Sequence, residues 1–205
     1  MTVSCIVRAH EKAKQSRVFI DGEYAFTLYN SEIRRLGLKK DKEISKNEYD
    51  TIMNSVLIKR ARLRALYLLQ KQDYTEYKLK RKLYNSGYPE SVIEDALKYV
   101  KEYGYVDDEK YARSFVNSHA ETLNKTRLIL KMKSRGISDE IISNVYEEYC
   151  EDHGAPKERE MILSFLDKKH FDIASCDRKE KDKMIKSLLY RGFKMNDIIA
   201  CFNLT

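Results

Sequence analysis

The chain has 205 residues, 35% charged and 42% hydrophobic, with only 7 Gly and 2 Pro, a balance that argues against disorder and for a helix-rich protein. No run of 18 apolar residues occurs, so no membrane span is expected, and Met1–Arg8 is too short and strand-like for a signal peptide. The net charge of +7 is uneven: residues 55–135 carry 18 Lys/Arg against 10 Asp/Glu, and residues 136–160 carry 2 against 8, which points to a polyanion or a charged protein surface as partner.

Residues 1–30 contain three β-type runs, Ser4–Val7, Arg17–Ile20 and Ala25–Tyr29, with Asp21-Gly22 as a hairpin turn between the last two. Three short strands cannot bury a core alone, so this piece is expected to pack on a helix. Ser31–Leu36 reads as a short helix stopped by Gly37, and Lys39–Lys42 as a polar loop. Ser45 and Glu48 form a capping box that opens a helix running to about Gln72. Tyr49, Ile52, Met53, Val56, Leu57, Ala61, Leu63, Leu66, Tyr67 and Leu68 supply its apolar faces, and a break is expected near Lys59–Arg62.

From there the chain repeats. Leu79-x3-Leu83-x3-Gly87-Tyr88, Leu128-x3-Met132-x3-Gly136-Ile137 and Met184-x3-Leu188-x3-Gly192-Phe193 share one grammar, with Ile93, Ile142 and Ile198 six residues after each glycine. A helix with apolar residues four apart meets a glycine stop, one large apolar residue and a further helix. Preceding helices at about 60–72, 108–121 and 156–169 complete three units. The second helices start at Thr75, near Asn124–Thr126 and near Asp177; Pro89 and Ser138 mark third-helix starts. Between the first two units lies Tyr103–Val116. There Gly104 supplies a left-handed stop, Asp107 or Asp108 a cap, and Tyr111, Ala112, Phe115 and Val116 an apolar stripe. A metal or acid/base role for the paired Asp is disfavoured, because both fall where caps belong and no third ligand is near. The expectation is a mostly α protein of tandem three-helix repeats in an elongated array, with a small N-terminal β-hairpin/strand-containing unit. Its segments are 1–58 (strands and the start of the long helix), 59–105, 106–152 and 153–205.

A basic stripe repeats as well. Lys78, Arg127 and Lys183 stand nine residues before the glycines, Lys82 and Lys131 five before, and Arg135 and Arg191 one before, with Ser187 and Ser86 breaking the pattern. Lys80, Arg81, Lys133 and Lys186 broaden it, and Lys59, Arg60, Arg62 and Arg64 precede the first unit. We assign phosphate or partner contact to Arg60, Arg64, Lys78, Lys80, Arg81, Lys82, Arg127, Lys131, Arg135 and Lys183. The competing reading is a solvated helical surface whose cations complement helix dipoles. The helix–glycine turn–helix arrangement also evokes helix-turn-helix readers. However, the third helices begin with acidic residues (Glu90; Asp139-Glu140), which favours backbone contact over base reading.

No Walker A, GxGxxG, HExxH, GxSxG or CxxC pattern occurs, so no enzyme, metal or cofactor is expected. Cys5, Cys150, Cys176 and Cys201 are scattered and read as reduced thiols. Cys150 and His153 lack a second ligand pair, His119 extends an apolar stripe, and most of the 15 Tyr are assigned to core packing.

Gly104-Tyr105-Val106-Asp107-Asp108-Glu109-Lys110-Tyr111-Ala112-x2-Phe115-Val116 resembles the central signature of the RecX family, regulators of the RecA recombinase. Leu79-x3-Leu83-x3-Gly87-Tyr88 and Lys131-x4-Gly136-Ile137-Ser138 support the resemblance, which is good over 60–150, looser over 156–205 and weak over 1–59. His119 stands where the family often has Arg, and Thr75 where it often has Ser. The resemblance implies a cytoplasmic, monomeric, non-enzymatic modulator without cofactor. It would lie along the groove of the RecA–single-stranded DNA filament and restrain ATP hydrolysis, strand exchange and cleavage of the SOS repressor. Gly104, Asp107, Asp108, Tyr111, Ala112 and Phe115 are then a structural signature. The alternative is a helical DNA-binding protein acting without a recombinase.

Overall fold

A computed structural model describes residues 1–8 and 10–203; one residue of the 1–58 segment and the last two of the 153–205 segment lie outside the described residues. The chain forms two compact units, 1–107 and 108–205.

In the first unit, strands β1 (Val3–Arg8), β2 (Gln15–Ile20) and β3 (Glu23–Tyr29) form an antiparallel sheet in the order β1-β2-β3. Asp21 and Gly22 both take positive φ, 49° and 89°, the backbone that a two-residue hairpin matching the strand twist demands. Helix α1 (Asn30–Arg35) follows. Helix α2 (Lys46–Thr51) opens on the expected capping box: Glu48 N–H donates to Ser45 Oγ, and Ser45 N–H donates to the Glu48 carboxylate at 2.8 Å. The hydrogen bond from the Ser45 backbone and the nearby Lys42 ammonium hold the Glu48 carboxyl below its ordinary range.

The long helix does not break at Lys59–Arg62. It passes instead through a π-helical stretch, Ile52–Ile58, before helix α3 (Lys59–Leu69). Wider i→i+5 winding brings residues five apart toward one side, and the buried positions step accordingly: Ile52, then Leu57, then Ala61 and Ala65 at the α-helical spacing of four. Helix α4 (Glu76–Asn85), capped by Thr75, and helix α5 (Glu90–Glu102) complete the unit. Val3, Val18, Phe26 and Leu28 of the sheet share one core with Ala61, Leu79, Leu83, Ile93 and Val100 of the helices. Each fully buried Leu there contributes roughly 1.5–3 kcal/mol relative to exposure.

The second unit holds α6 (Asp108–His119), α7 (Lys125–Lys133) and α8 (Asp139–His153) around one core, and α9 (Glu158–Lys168), α10 (Arg178–Tyr190) and α11 (Met195–Phe202) around another. Asn124, Ser138 and Asp177 cap α7, α8 and α10 with their side chains. No helix among the described residues is long and apolar enough to cross a membrane.

The same turn recurs. Gly136 N–H donates to Lys133 O and Ile137 N–H to Met132 O; Gly192 N–H donates to Leu189 O and Phe193 N–H to Leu188 O. Gly104 and Tyr105 close α5 in the same way on Lys101 O and Val100 O. This pair of bonds satisfies the last carbonyls of a helix and needs a left-handed residue at the glycine. Gly87 N–H likewise donates to Tyr84 O. In the three repeats the left-handed glycine turns the next side chain inward: Tyr88, Ile137 and Phe193 are all buried. At Gly87 the turn also seats on the sheet. Tyr24 Oη donates to Gly87 O at 2.7 Å, and a Cβ on Gly87 would stand 2.7 Å from Thr27 Oγ1. A Cβ on Gly104 would meet nothing within 4 Å.

These environments separate conformational from steric cost. Gly104→Ala is expected to lose about 1–2 kcal/mol from the left-handed backbone alone. Gly87→Ala, which adds overpacking against Thr27, is expected to lose about 3 kcal/mol or more. Urea midpoints of the two variants check this, and equal losses would contradict the seating of Gly87 on β3.

Candidate functional site

The second helix of each three-helix unit presents an apolar face: the buried Leu79 and Leu83 on α4, Leu128 and Met132 on α7, and the half-buried Met184 with the buried Leu188 on α10. The residues one position earlier stand on the flank of that face. Lys78 is half-buried and Lys82 exposed on α4, Arg127 and Lys131 are half-buried on α7, and Lys183 is exposed on α10. Half-burial of a long cationic side chain leaves its stem on apolar surface and its head in water.

Other cations of the stripe are used inside the fold. Arg60, on α3, donates to Thr27 O of β3 at 2.7 Å and to the Glu32 carboxylate of α1. Its guanidinium lies 5.0 Å from the Tyr29 ring centroid and 5.3 Å from that of Tyr88. One side chain thus joins the sheet, α1, α3 and the Gly87 turn. Burial pushes the Tyr88 phenol up, against the opposing pull of Arg60. Arg135 donates through Nε to Tyr111 Oη at 3.1 Å and through Nη1 to Lys131 O, and sits 4.6 Å from the Phe115 centroid. Arg191, at the equivalent position before Gly192, sits 4.1 Å from the Phe165 centroid. The residue before the glycine in the last two repeats therefore fastens the second helix to an aromatic of the first. Periodicity alone cannot separate such residues from outward ones. The aromatic on the neighbouring helix is the missing half of the signal.

Lys80 pairs with Glu90, and Lys133 with Asp139 at 2.7 Å, so cations of the second helices meet the acidic starts of the third. Exposed pairs of this kind contribute about 0–1 kcal/mol. Arg64 and Arg81 keep their guanidinium groups over exposed aromatics, Tyr67 at 5.4 Å and Tyr77 at 5.8 Å. The assignment of most tyrosines to the core does not hold: Tyr24, Tyr29, Tyr67, Tyr77, Tyr84, Tyr103, Tyr105 and Tyr190 are exposed, as is Leu63 on α3.

Of the signature residues, Ala112 and Phe115 lie in the second core and Tyr111 packs against it. Gly104 has a φ of 68°, and Asp107 and Asp108 precede and open α6. His119 stacks on Phe115 with ring centroids 4.2 Å apart, and its Nδ1 lies 3.0 Å from Phe115 O. His153 stacks on Tyr149 in the same manner at 4.6 Å. All four cysteines are free thiols. Near one of them, Cys150, burial pushes the Tyr146 phenol up to about 12.

Arg127 has neighbours of which sequence spacing singled out only Arg191. With Lys157, Lys168, Lys169 and Arg191 it lines an open groove of about 960 Å³ within the second unit. The buried Asn124 also lines it, accepting from Arg127 N–H at 2.9 Å and donating to Arg191 O at 2.9 Å.

Comparison with known proteins bears on what these surfaces serve. Residues 61–99 match the model of the RecX first three-helix domain. The regulatory protein RecX of Caldanaerobacter subterraneus subsp. tengcongensis is 34% identical over the whole of both chains. That of Clostridium acetobutylicum is 28% identical over 96% of this chain and 92% of its own. A crystal structure of regulatory protein RecX superposes with a TM-score of 0.60 at 22% identity, covering 98% of each chain. RecX from Lactobacillus salivarius gives 0.55 at 20% identity, covering 73% of this chain and 96% of the other. The two structures share the fold.

The division between internal and outward cations makes a direct prediction. Arg60→Ala leaves Glu32 half-buried without its cation and is expected to lower stability by about 2–3 kcal/mol, between the values for exposed and buried pairs. Lys82→Ala, on an exposed flank, is expected to stay within about 0.5 kcal/mol of the parent. Thermal or urea unfolding of both variants checks this.

Proposed function

The chain belongs to the RecX family of regulatory proteins, and from that premise we propose that it binds the RecA–single-stranded DNA filament and restrains the recombinase. Under this reading, added protein lowers ATP hydrolysis, strand exchange and filament-stimulated cleavage of the SOS repressor. The protein acts by occupancy in the cytoplasm as a monomer, without a cofactor or chemistry of its own.

The observation that carries the reading is the repeated placement of cations beside the core face of the second helices. Lys78 and Lys82 on α4 recur as Arg127 and Lys131 on α7, at the same distances from their glycines. Lys183 repeats the first position on α10. Cations set at matching places on rigid helices suit a partner that itself repeats, as the phosphates and subunits of a filament do. Arg64 and Arg81 extend the surface beside Tyr67 and Tyr77. Arg60 and Arg135, whose guanidinium groups are held internally, are assigned to the fold and not to the contact. The segments 59–105, 106–152 and 153–205 then act as successive contact modules, with 1–58 buttressing the first.

Reversing Lys78, Lys82, Arg127 and Lys131 to Glu is expected to abolish inhibition of the recombinase ATPase on single-stranded DNA while helicity by circular dichroism is retained. Undiminished inhibition by the folded variant would remove these residues from the contact. Failure of the parent protein to slow the ATPase would remove the filament reading itself.

A further inference from the structure

We propose that the outer face of the N-terminal sheet docks an extended segment of a partner protein, one that carries an acidic side chain two positions from an aromatic side chain. The acid pairs with Arg17 and the aromatic lies on Phe19. This inference goes beyond the filament reading and does not rest on it.

The sheet buries one face. Val18 and Ile20 of β2 point into the core shared with the helices, and Arg17 and Phe19 alternate with them on the opposite side. On that outer side the Gly87 turn sits over Thr27 and Tyr24 of β3, while Val7 of β1 stays exposed. The step between the turn and the bare part of the sheet is a hollow of about 890 Å³. Val7, Arg17 and Phe19 belong to its floor, Tyr84 and Pro89 to its wall. Arg17 stands at the centre of the floor, on the middle strand, with Val7 and Thr27 as cross-strand neighbours. Neither offers a carboxylate. Arg60, Arg62 and Arg113 each hold one, whereas Arg17 has no ion pair among the described residues. Glu90, the acidic residue of the lining, is taken by Lys80. A lone guanidinium selects a carboxylate in its own plane. A polyanion needs cations at repeated intervals, and among the described residues lining the hollow Arg17 is the sole cation.

Strand geometry sets the form of the partner. Arg17 and Phe19 stand two residues apart on one face of β2, about 6.6 Å along the strand. An extended chain laid over β2 repeats at the same interval, so its alternate side chains meet these two in turn. From Gln15 to Phe19 the floor runs about 13 Å, enough for four extended residues. The apolar half of the hollow is aromatic. Phe19 meets the Tyr24 ring edge-on with centroids 5.9 Å apart, and Tyr84 is 68% exposed on the wall. An incoming ring therefore finds aromatic surface below and beside it. The hollow is also held in shape. Tyr24 Oη donates to Gly87 O at 2.7 Å and lies 3.0 Å from Thr27 Oγ1, so the wall is tied to the floor through β3.

The test titrates the isotope-labelled full chain with the end-capped peptide Gly-Ser-Asp-Thr-Phe-Ser-Gly and follows backbone amide NMR shifts, with no nucleic acid or recombinase present. Saturable shifts are expected on β2, on β3 and in the turn that carries Gly87. Replacing the peptide's aspartate by lysine is expected to weaken binding about tenfold or more. R17E is expected to invert that preference and take the lysine peptide more tightly than the aspartate one. Tyr84→Ser, at an exposed wall position, is expected to lose several-fold for the aspartate peptide without changing the charge preference. A parent protein with no saturable shifts in the hollow would overturn the proposal. So would equal affinity of the parent for the two peptides, or unchanged affinities in both folded variants. The titration contains neither component of the filament, so its failure leaves the filament reading standing. A parent protein that binds the aspartate peptide but leaves the recombinase ATPase unchanged removes only the filament reading.

Discussion

The left-handed glycine that stops each second helix is the constraint from which the rest of the architecture follows. One residue at positive φ lets backbone N–H groups turn back onto the last helical carbonyls, two of them at the Gly136 and Gly192 turns, and the next side chain then points into the core of its own unit. Tyr88, Ile137 and Phe193 arrive there in this way. The turn also joins what precedes it. Gly87 rests on Thr27 and Tyr24 of β3, and the Gly192 turn rests on Asn124 at the head of α7. A Cβ at Gly87 would press on Thr27, and one at Gly192 would come into contact with Asn124, so the residue that ends a helix also fixes where that helix sits. The asymmetry between Gly87 and Gly104 follows: both need the backbone, and only the first needs the space.

Beside that turn the chain divides its arginines and lysines by job. The planar guanidinium can lie on a ring and still donate in its own plane, and the fold uses this at Arg60, Arg135 and Arg191 to tie helices together. The Arg60 contact is the most extensive, since it gathers β3, α1 and the Gly87 turn around α3. Lysines at the flank positions have compact, strongly hydrated heads that gain little from such packing, which leaves Lys78, Lys82, Lys131 and Lys183 as the outward members. The surplus of positive charge on this chain is therefore concentrated by side-chain chemistry and not by count alone.

Much of this was legible in the sequence, for identifiable reasons. The glycine–hydrophobe pairs, the caps at Ser45, Thr75, Asn124, Ser138 and Asp177 and the Asp21-Gly22 hairpin depend on local backbone chemistry, which a sequence displays directly. Features that depend on two elements meeting were not legible. The π-helical stretch shows in the sequence as a step of five between Ile52 and Leu57, but that step only has meaning once the sheet and α3 are known to share a core. The tyrosines misled for the same reason: apolar spacing on a helix says that a side chain could pack, while Tyr67, Tyr77 and Tyr103 have no element over them in their unit. The groove around Arg127 joins residues 30 to 64 positions apart, of which the stripe pattern picks out only Arg127 and Arg191.

Electrostatics explains why outward cations remain available in a chain that also carries 32 acidic residues. Most helices open with their own carboxylates, such as Glu76, Glu90, Asp139 and Glu180, so much of the negative charge is committed to helix N-termini. Where those N-termini face a second helix, Lys80 and Lys133 answer them. Acid placed at a helix start cannot also neutralise a cation two turns along the neighbouring helix, since exposed charges couple weakly beyond contact distance. The flank lysines and the groove cations are what this arrangement leaves over. Helix α7, which lacks an opening carboxylate of its own and carries Lys125, Arg127, Lys131 and Lys133, is the helix that the flank stripe and the groove share.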